Sequence, residues 1–186
     1  MLIVMGLPGV GKSSILKGAL EGRNVQVVNY GDLAIDVAKK KKIASNRDAI
    51  NALPIKEHLE LQDAVVAKLK DTPRTILDTH AVLRRKPSGY IPGLTPSLFK
   101  KITVDALVFI DAPSDEIVAR RKADPARTRP TMAVGELDEI RRFSLSAISV
   151  YSASTGAPIY VVTNREGRSK DAVNALNDVL DSLGWK

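Results

Sequence analysis

Residues 6–13 read Gly6-Leu7-Pro8-Gly9-Val10-Gly11-Lys12-Ser13, and the apolar run Leu2-Ile3-Val4-Met5 leads into them. The pattern G-x-x-x-x-G-K-S after a short apolar strand, and before a segment able to start a helix at Ser13, is a complete P-loop. Three glycines let the backbone turn sharply and aim successive N–H groups at phosphate oxygens. The helix that follows adds the positive end of its dipole. The loop backbone at Gly9, Val10 and Gly11, with Lys12, Ser13 and Ser14, is therefore the expected phosphate cradle. Lys12 is expected to reach the terminal phosphates of ATP from a solvent-facing position, and the Ser13 hydroxyl to ligate Mg²⁺.

From this loop the alternation of patterns extends along the chain. Apolar runs at Leu2–Met5, Val25–Asn29, Thr75–Asp78, Ala106–Ile110 and Ile159–Thr163 alternate with helical periodicity. That order predicts an α/β P-loop fold with a five-stranded parallel sheet and helices on both faces. At 186 residues the chain is read as one domain. Helices are expected at 13–20, 32–41, 47–53, 55–70, 96–102, 115–122, 136–152 and 170–183, with Ser114 as an N-cap. The polar stretch 123–134 reads as a flap, and residues 79–95, rich in Pro and Gly, as a long loop.

Composition narrows the chemistry. Cysteine is absent and there are only two histidines, His58 and His80, which argues against disulfides and a His/Cys metal cage. The apolar run before Gly6 is too short for a signal or a membrane span, so a cytoplasmic protein without a membrane partner is expected. The net charge of +7 suits either nucleic acid or a site that holds several phosphates. Lys39 to Lys42 read as a solvated helix end. With few aromatics to stack bases, no nucleic-acid partner is expected.

Carboxylates and arginines supply the rest of the site. Asp78 closes the third apolar run, where strand ends meet the ligand crevice of a doubly wound sheet. It is expected to organise water around Mg²⁺, with Asp111, at the end of the fourth run, as a competing candidate. Six arginines lie between positions 120 and 142 (Arg120, Arg121, Arg127, Arg129, Arg141, Arg142). Their density around the flap favours a phosphate clamp. On the helix after the flap, Leu137, Ile140, Ser144, Ala147, Ile148 and Tyr151 form the inner stripe, with Arg141 at its edge. His80 lies at the same crevice as Asp78.

The series GLPGVGKS, Asn29-Tyr30-Gly31-Asp32, Asn46-Arg47-Asp48, Asp78-Thr79-His80-Ala81-Val82, Pro87 to Leu94 and Arg127-Thr128-Arg129 resembles the archaeal-type adenylate kinases over nearly the whole chain. The resemblance implies an AMP-binding segment at about 30–65 and a short lid over ATP at about 123–134. It implies Arg47, Arg84, Tyr30 and His80 on the AMP side, Arg120, Arg127 and Arg129 in the lid, Asn164 near the adenine of ATP, and a homotrimer. Two departures are visible. Leu145 stands where the family has an arginine, with Arg141 one turn earlier, and Arg85-Lys86-Pro87 carries one extra residue. Two other readings stay open: another small-molecule or nucleotide kinase of this fold, and an RNA-associated ATPase switch.

Overall fold

A computed structural model describes residues 1–85, 89–123 and 132–186. The chain runs β1 (Leu2–Gly6), α1 (Lys12–Ala19), β2 (Gln26–Asn29), α2 (Tyr30–Lys41), α3 (Arg47–Ala52) and α4 (Ile55–Lys68). It continues through β3 (Thr75–Asp78), β4 (Val82–Arg85), β5 (Gly89–Pro92), α5 (Pro96–Lys101), β6 (Ala106–Asp111), α6 (Ser114–Ala123), α7 (Val134–Thr155), β7 (Ile159–Thr163) and α8 (Ser169–Ser182). Five strands form one parallel sheet in the order β2-β3-β1-β6-β7. β1, β3 and β6 are buried at every residue. This is why they read as unbroken apolar runs rather than alternating ones.

β1 lies between β3 and β6, so the loop after β1 emerges at the sheet's crossover point beside the end of β3. This single feature puts Gly6–Ser13 next to Asp78. Local signals fix the surrounding helices. Asn29 caps α2 by accepting from the Asp32 N–H at 3.0 Å, and Asn46 caps α3 through the Ala49 N–H at 2.9 Å. Gly156, at φ 74°, ends α7. Lys39, Lys40 and Lys41 do form the exposed last turn of α2.

Two expectations need correction. Residues 79–95 are not simply a loop: β4 and β5 pair antiparallel, with Val82 opposite Pro92 and Arg85 opposite Gly89. Each strand has four residues and pairs only with the other, so neither carries the apolar run of a core strand. Ser114 does not cap α6. It is the first residue of that helix and donates to Asp138 Oδ1 at 2.6 Å. The flap lies for its larger part outside the described residues, and so do Arg127, Arg129 and the extra residue at Lys86-Pro87. The inner stripe of α7 is as read: Leu137, Ser144, Ile148 and Tyr151 are buried.

Candidate active site

The loop after β1 is shaped for an anion. Gly9 and Gly11 take φ of 98° and 87°, conformations that only glycine adopts cheaply. Within the loop the Val10 N–H closes onto the Leu7 carbonyl, while Ser14 and Ile15 donate to the Gly11 carbonyl. The N–H groups of Gly9, Gly11, Lys12 and Ser13 meet no acceptor among the described residues. Gly11 caps α1 without a side chain, so these donors and the helix dipole face the same way. Ser13 and Ser14 are exposed at this end, whereas the Val10 side chain is fully buried. Val10 thus belongs to the cradle through its backbone alone.

Lys12 is not solvent-facing. Its side chain is 11% exposed and its ammonium pairs with Asp78 Oδ1, itself on a side chain 10% exposed. It also donates to the Thr79 carbonyl at 2.5 Å. Burial lowers its pKa, and the Asp78 carboxylate opposes that shift. Asp78 Oδ2 accepts from the Asn29 side chain at 2.9 Å, while Oδ1 has no partner beyond the Lys12 ammonium. The end of β2 therefore orients the carboxylate at the end of β3, because Asn29 and Asp78 stand opposite in register.

His80 donates from Nδ1 to the Gly6 carbonyl at 2.8 Å; the proton must sit on Nδ1, since a carbonyl only accepts. Loss of hydration, and then the Lys12 charge, push its pKa down to about 4 from an ordinary 6.5. His80 is therefore neutral in the fold at pH 7. Below pH 6.5 the unfolded chain binds a proton that the folded chain refuses, so stability falls as pH drops from 6.5 towards 4. The loss is on the order of 3 kcal/mol. Urea midpoints between pH 7.5 and 4.5 should show it, and His80→Gln should flatten this part of the pH dependence.

The arginines divide. Arg120 donates to Glu166 Oε2 at 2.7 Å, to Glu116 Oε2 and the Asn164 carbonyl at 3.0 Å, and to the Val10 carbonyl at 3.4 Å. Arg121 donates to the Pro8 carbonyl. Both back the loop from α6. Arg141 forks onto Asp111, Nε reaching both carboxylate oxygens at 2.8 Å. Arg141 thus occupies both oxygens of Asp111, which leaves Asp78, whose Oδ1 meets only Lys12, the less engaged of the two candidate carboxylates. Asn164 Nδ2 donates to the Val10 carbonyl at 2.7 Å and its Oδ1 is buried without a partner.

On the other flank, Arg47 pairs with Asp32 at 2.7 Å and lies over Gly31, at the surface of the α2–α3 corner. Arg84, on β4, pairs with Glu136 of α7 at 2.9 Å. Tyr30 is placed differently from the substrate contact expected of it. It is buried, with its hydroxyl 3.5 Å from the Gln62 carbonyl, and packs α2 on α4.

A family model described as an AAA domain matches residues 5–138. An adenylate kinase of Pyrococcus abyssi is 32% identical over 187 residues, covering 97% of this chain and 95% of the relative. One of Thermoplasma acidophilum is 30% identical, covering 96% and 97%. The chain belongs to the archaeal-type adenylate kinase family. A shikimate kinase structure from Bacteroides thetaiotaomicron, 13% identical over 97% of both chains with a TM-score of 0.59, shares the fold. That likeness speaks for architecture alone.

For an adenylate kinase the donor set can be tested against magnesium. Among the described residues no three His, Cys, Asp or Glu side chains converge, so an all-protein cage is not available. Mg²⁺ takes one or two protein oxygens, several waters and substrate phosphates. An exposed Ser13 hydroxyl, and an Asp78 carboxylate whose Oδ1 meets only the Lys12 ammonium, fit that requirement.

Several contributors were missed in the sequence. Asn29 does two jobs, capping α2 and steering Asp78; its position one residue before a helix signalled the first only. The Thr79 carbonyl carries no side-chain signal at all. Glu166 becomes an Arg120 partner only when α6 meets the loop after β7, and Glu116, four residues before Arg120 on α6, joins it there. Within the described residues no helix is long and apolar enough to cross a membrane.

Proposed function

We propose that this adenylate kinase transfers the terminal phosphoryl group of ATP to AMP, giving two ADP, in a reaction that needs Mg²⁺. The observation carrying the reading is the Lys12–Asp78 pair. It sits at the junction of an amide-lined loop and the α2–α3 corner that bears Arg47. The ATP phosphates lie on the Gly9–Ser14 cradle, with Asn164 on the adenine side. Lys12 then exchanges Asp78 and Thr79 for phosphate oxygens and neutralises charge that builds on them. The metal, held by Ser13 and through water by Asp78, supplies further charge neutralisation when bound.

No general base is needed, because the attacking AMP phosphate is already an oxyanion. The work of the protein is positioning and exclusion of water, which would otherwise divert transfer to hydrolysis. Arg127 and Arg129, with Arg120, complete the lid side of this reading. Arg47, Arg84 and His80 complete the AMP side. A cytoplasmic homotrimer belongs to the same proposal, supported by the family resemblance.

The test is ADP formation from MgATP with AMP, CMP, UMP and GMP in parallel, and with shikimate. AMP as the preferred acceptor sustains the proposal; phosphorylation of another acceptor, or ATP hydrolysis alone, overturns it. Within that assay, Arg47→Ala and Arg84→Ala should raise the KM for AMP about tenfold. Each removes a charge-assisted hydrogen bond of about 1.5–3 kcal/mol. The KM for ATP should move far less. If ATP binding suffers instead, the two nucleotide sites are reversed.

A further inference from the structure

Two loop carbonyls, those of Pro8 and Val10, are gripped from outside. Arg121 donates from Nε and Nη2 to the Pro8 carbonyl, at 2.9 and 2.5 Å, and from Nη1 to Met132 Sδ at 3.2 Å. Asn164 Nδ2 takes the Val10 carbonyl at 2.7 Å, with Arg120 Nη1 behind it at 3.4 Å. The fit around the turns is close. A Cβ on Gly9 would come within 3.1 Å of Arg121 Nε, and one on Gly11 within 2.5 Å of Asn164 Nδ2.

A trans peptide unit is planar, with its C=O and N–H pointing in opposite directions. Pro8 C=O shares a plane with Gly9 N–H, and Val10 C=O with Gly11 N–H. Pulling the two carbonyls towards α6 and the loop after β7 therefore turns the two amides to the other side, where they meet no acceptor among the described residues. A cation on the carbonyl also polarises the amide across the same plane and makes it a better donor.

We propose that Arg121 is a positioning residue for phosphate binding: through the Pro8 carbonyl it aims the Gly9 amide at the anion, while Asn164 does the same for Gly11. Arg121 need not touch the nucleotide to act. The inference rests on the P-loop reading of the proposed function.

The experiment compares wild type, Arg121→Met, Arg121→Lys and Asn164→Ala, with inorganic tripolyphosphate and adenosine as separate probes. In ¹⁵N-glycine-labelled protein, tripolyphosphate should shift the Gly9 and Gly11 amide protons downfield. Arg121→Met should weaken tripolyphosphate binding about tenfold and diminish the Gly9 response, while the Gly11 response and adenosine binding stay near wild type. Asn164→Ala should reverse the two glycines. Arg121→Lys should recover part of the loss.

Wild type that fails to bind tripolyphosphate would sink the P-loop reading itself. Wild type that binds it while Arg121→Met matches wild type, or loses adenosine and both glycine responses equally, would sink only the positioning role. Melting temperature, followed alongside, identifies a variant whose fold has changed. For such a variant the Arg121→Lys pair decides: an unchanged Gly9 response in folded Arg121→Lys at normal affinity supports the role, and a loss equal to that of Arg121→Met at normal melting temperature opposes it.

Discussion

Lys12→Met should abolish detectable phosphoryl transfer and also destabilise the fold, and adding Asp78→Asn should return the stability without the activity. The activity loss follows from removing the cation that meets charge on the transferring group, expected to cost roughly 10²–10³-fold or more. The stability loss follows from burial. Asp78 would keep its charge in a site where its side chain is 10% exposed, with its ammonium partner gone. Breaking such a pair by deleting one member costs about 3–5 kcal/mol. Asparagine at 78 removes the stranded charge and can still meet Asn29. Urea denaturation and ADP formation on the three proteins separate the two effects. A folded Lys12→Met enzyme with normal turnover would overturn the assignment of this loop.

Gly93→Ala is the second large effect, and it concerns the fold near the site. A Cβ at this position would fall on the His80 carbonyl oxygen and lie 3.1 Å from the Ala81 carbonyl carbon. Both are backbone atoms, so no side chain can swing away. Gly93 also donates its N–H to the Ala81 carbonyl at 2.9 Å, which ties the end of β5 to the chain leaving β3. That tie supports Thr79 and His80, on which Lys12 and the Gly6 carbonyl rest. The substitution should cost more than about 3 kcal/mol, or prevent folding, since overpacking against backbone has no cheap relief. Gly89→Ala is the control. Among the described residues nothing lies within 4 Å of a Cβ there, and the change should stay within about 0.5 kcal/mol. Equal urea midpoints for the two variants would show that the hairpin shifts freely to accept the methyl group.

Much of this was legible along the chain because it is local. The P-loop spacing, the apolar strands and the caps at Asn29 and Asn46 each depend on residues within a few positions of one another. The sheet's core strands read clearly because they are buried on both faces and so are continuously apolar. The β4–β5 hairpin was not legible. Its strands are short, pair only with each other and include Arg84, Arg85 and a proline at the edge, which is the composition of a loop.

The sequence by itself determined the fold class, the phosphate loop and the residue types available for phosphoryl chemistry, because backbone conformation and burial period are written locally. Tertiary structure decided which charges are already spoken for. Asp78 and Asp111 end neighbouring runs in the same way, yet one meets Lys12 and Asn29 through one oxygen each and the other is held in a fork by Arg141. Arg120 and Arg121 look alike as surface cations, yet α6 lays both against the back of the loop. Such pairings join residues from 30 to 113 positions apart, and electrostatic partnership depends on distance in space rather than along the chain.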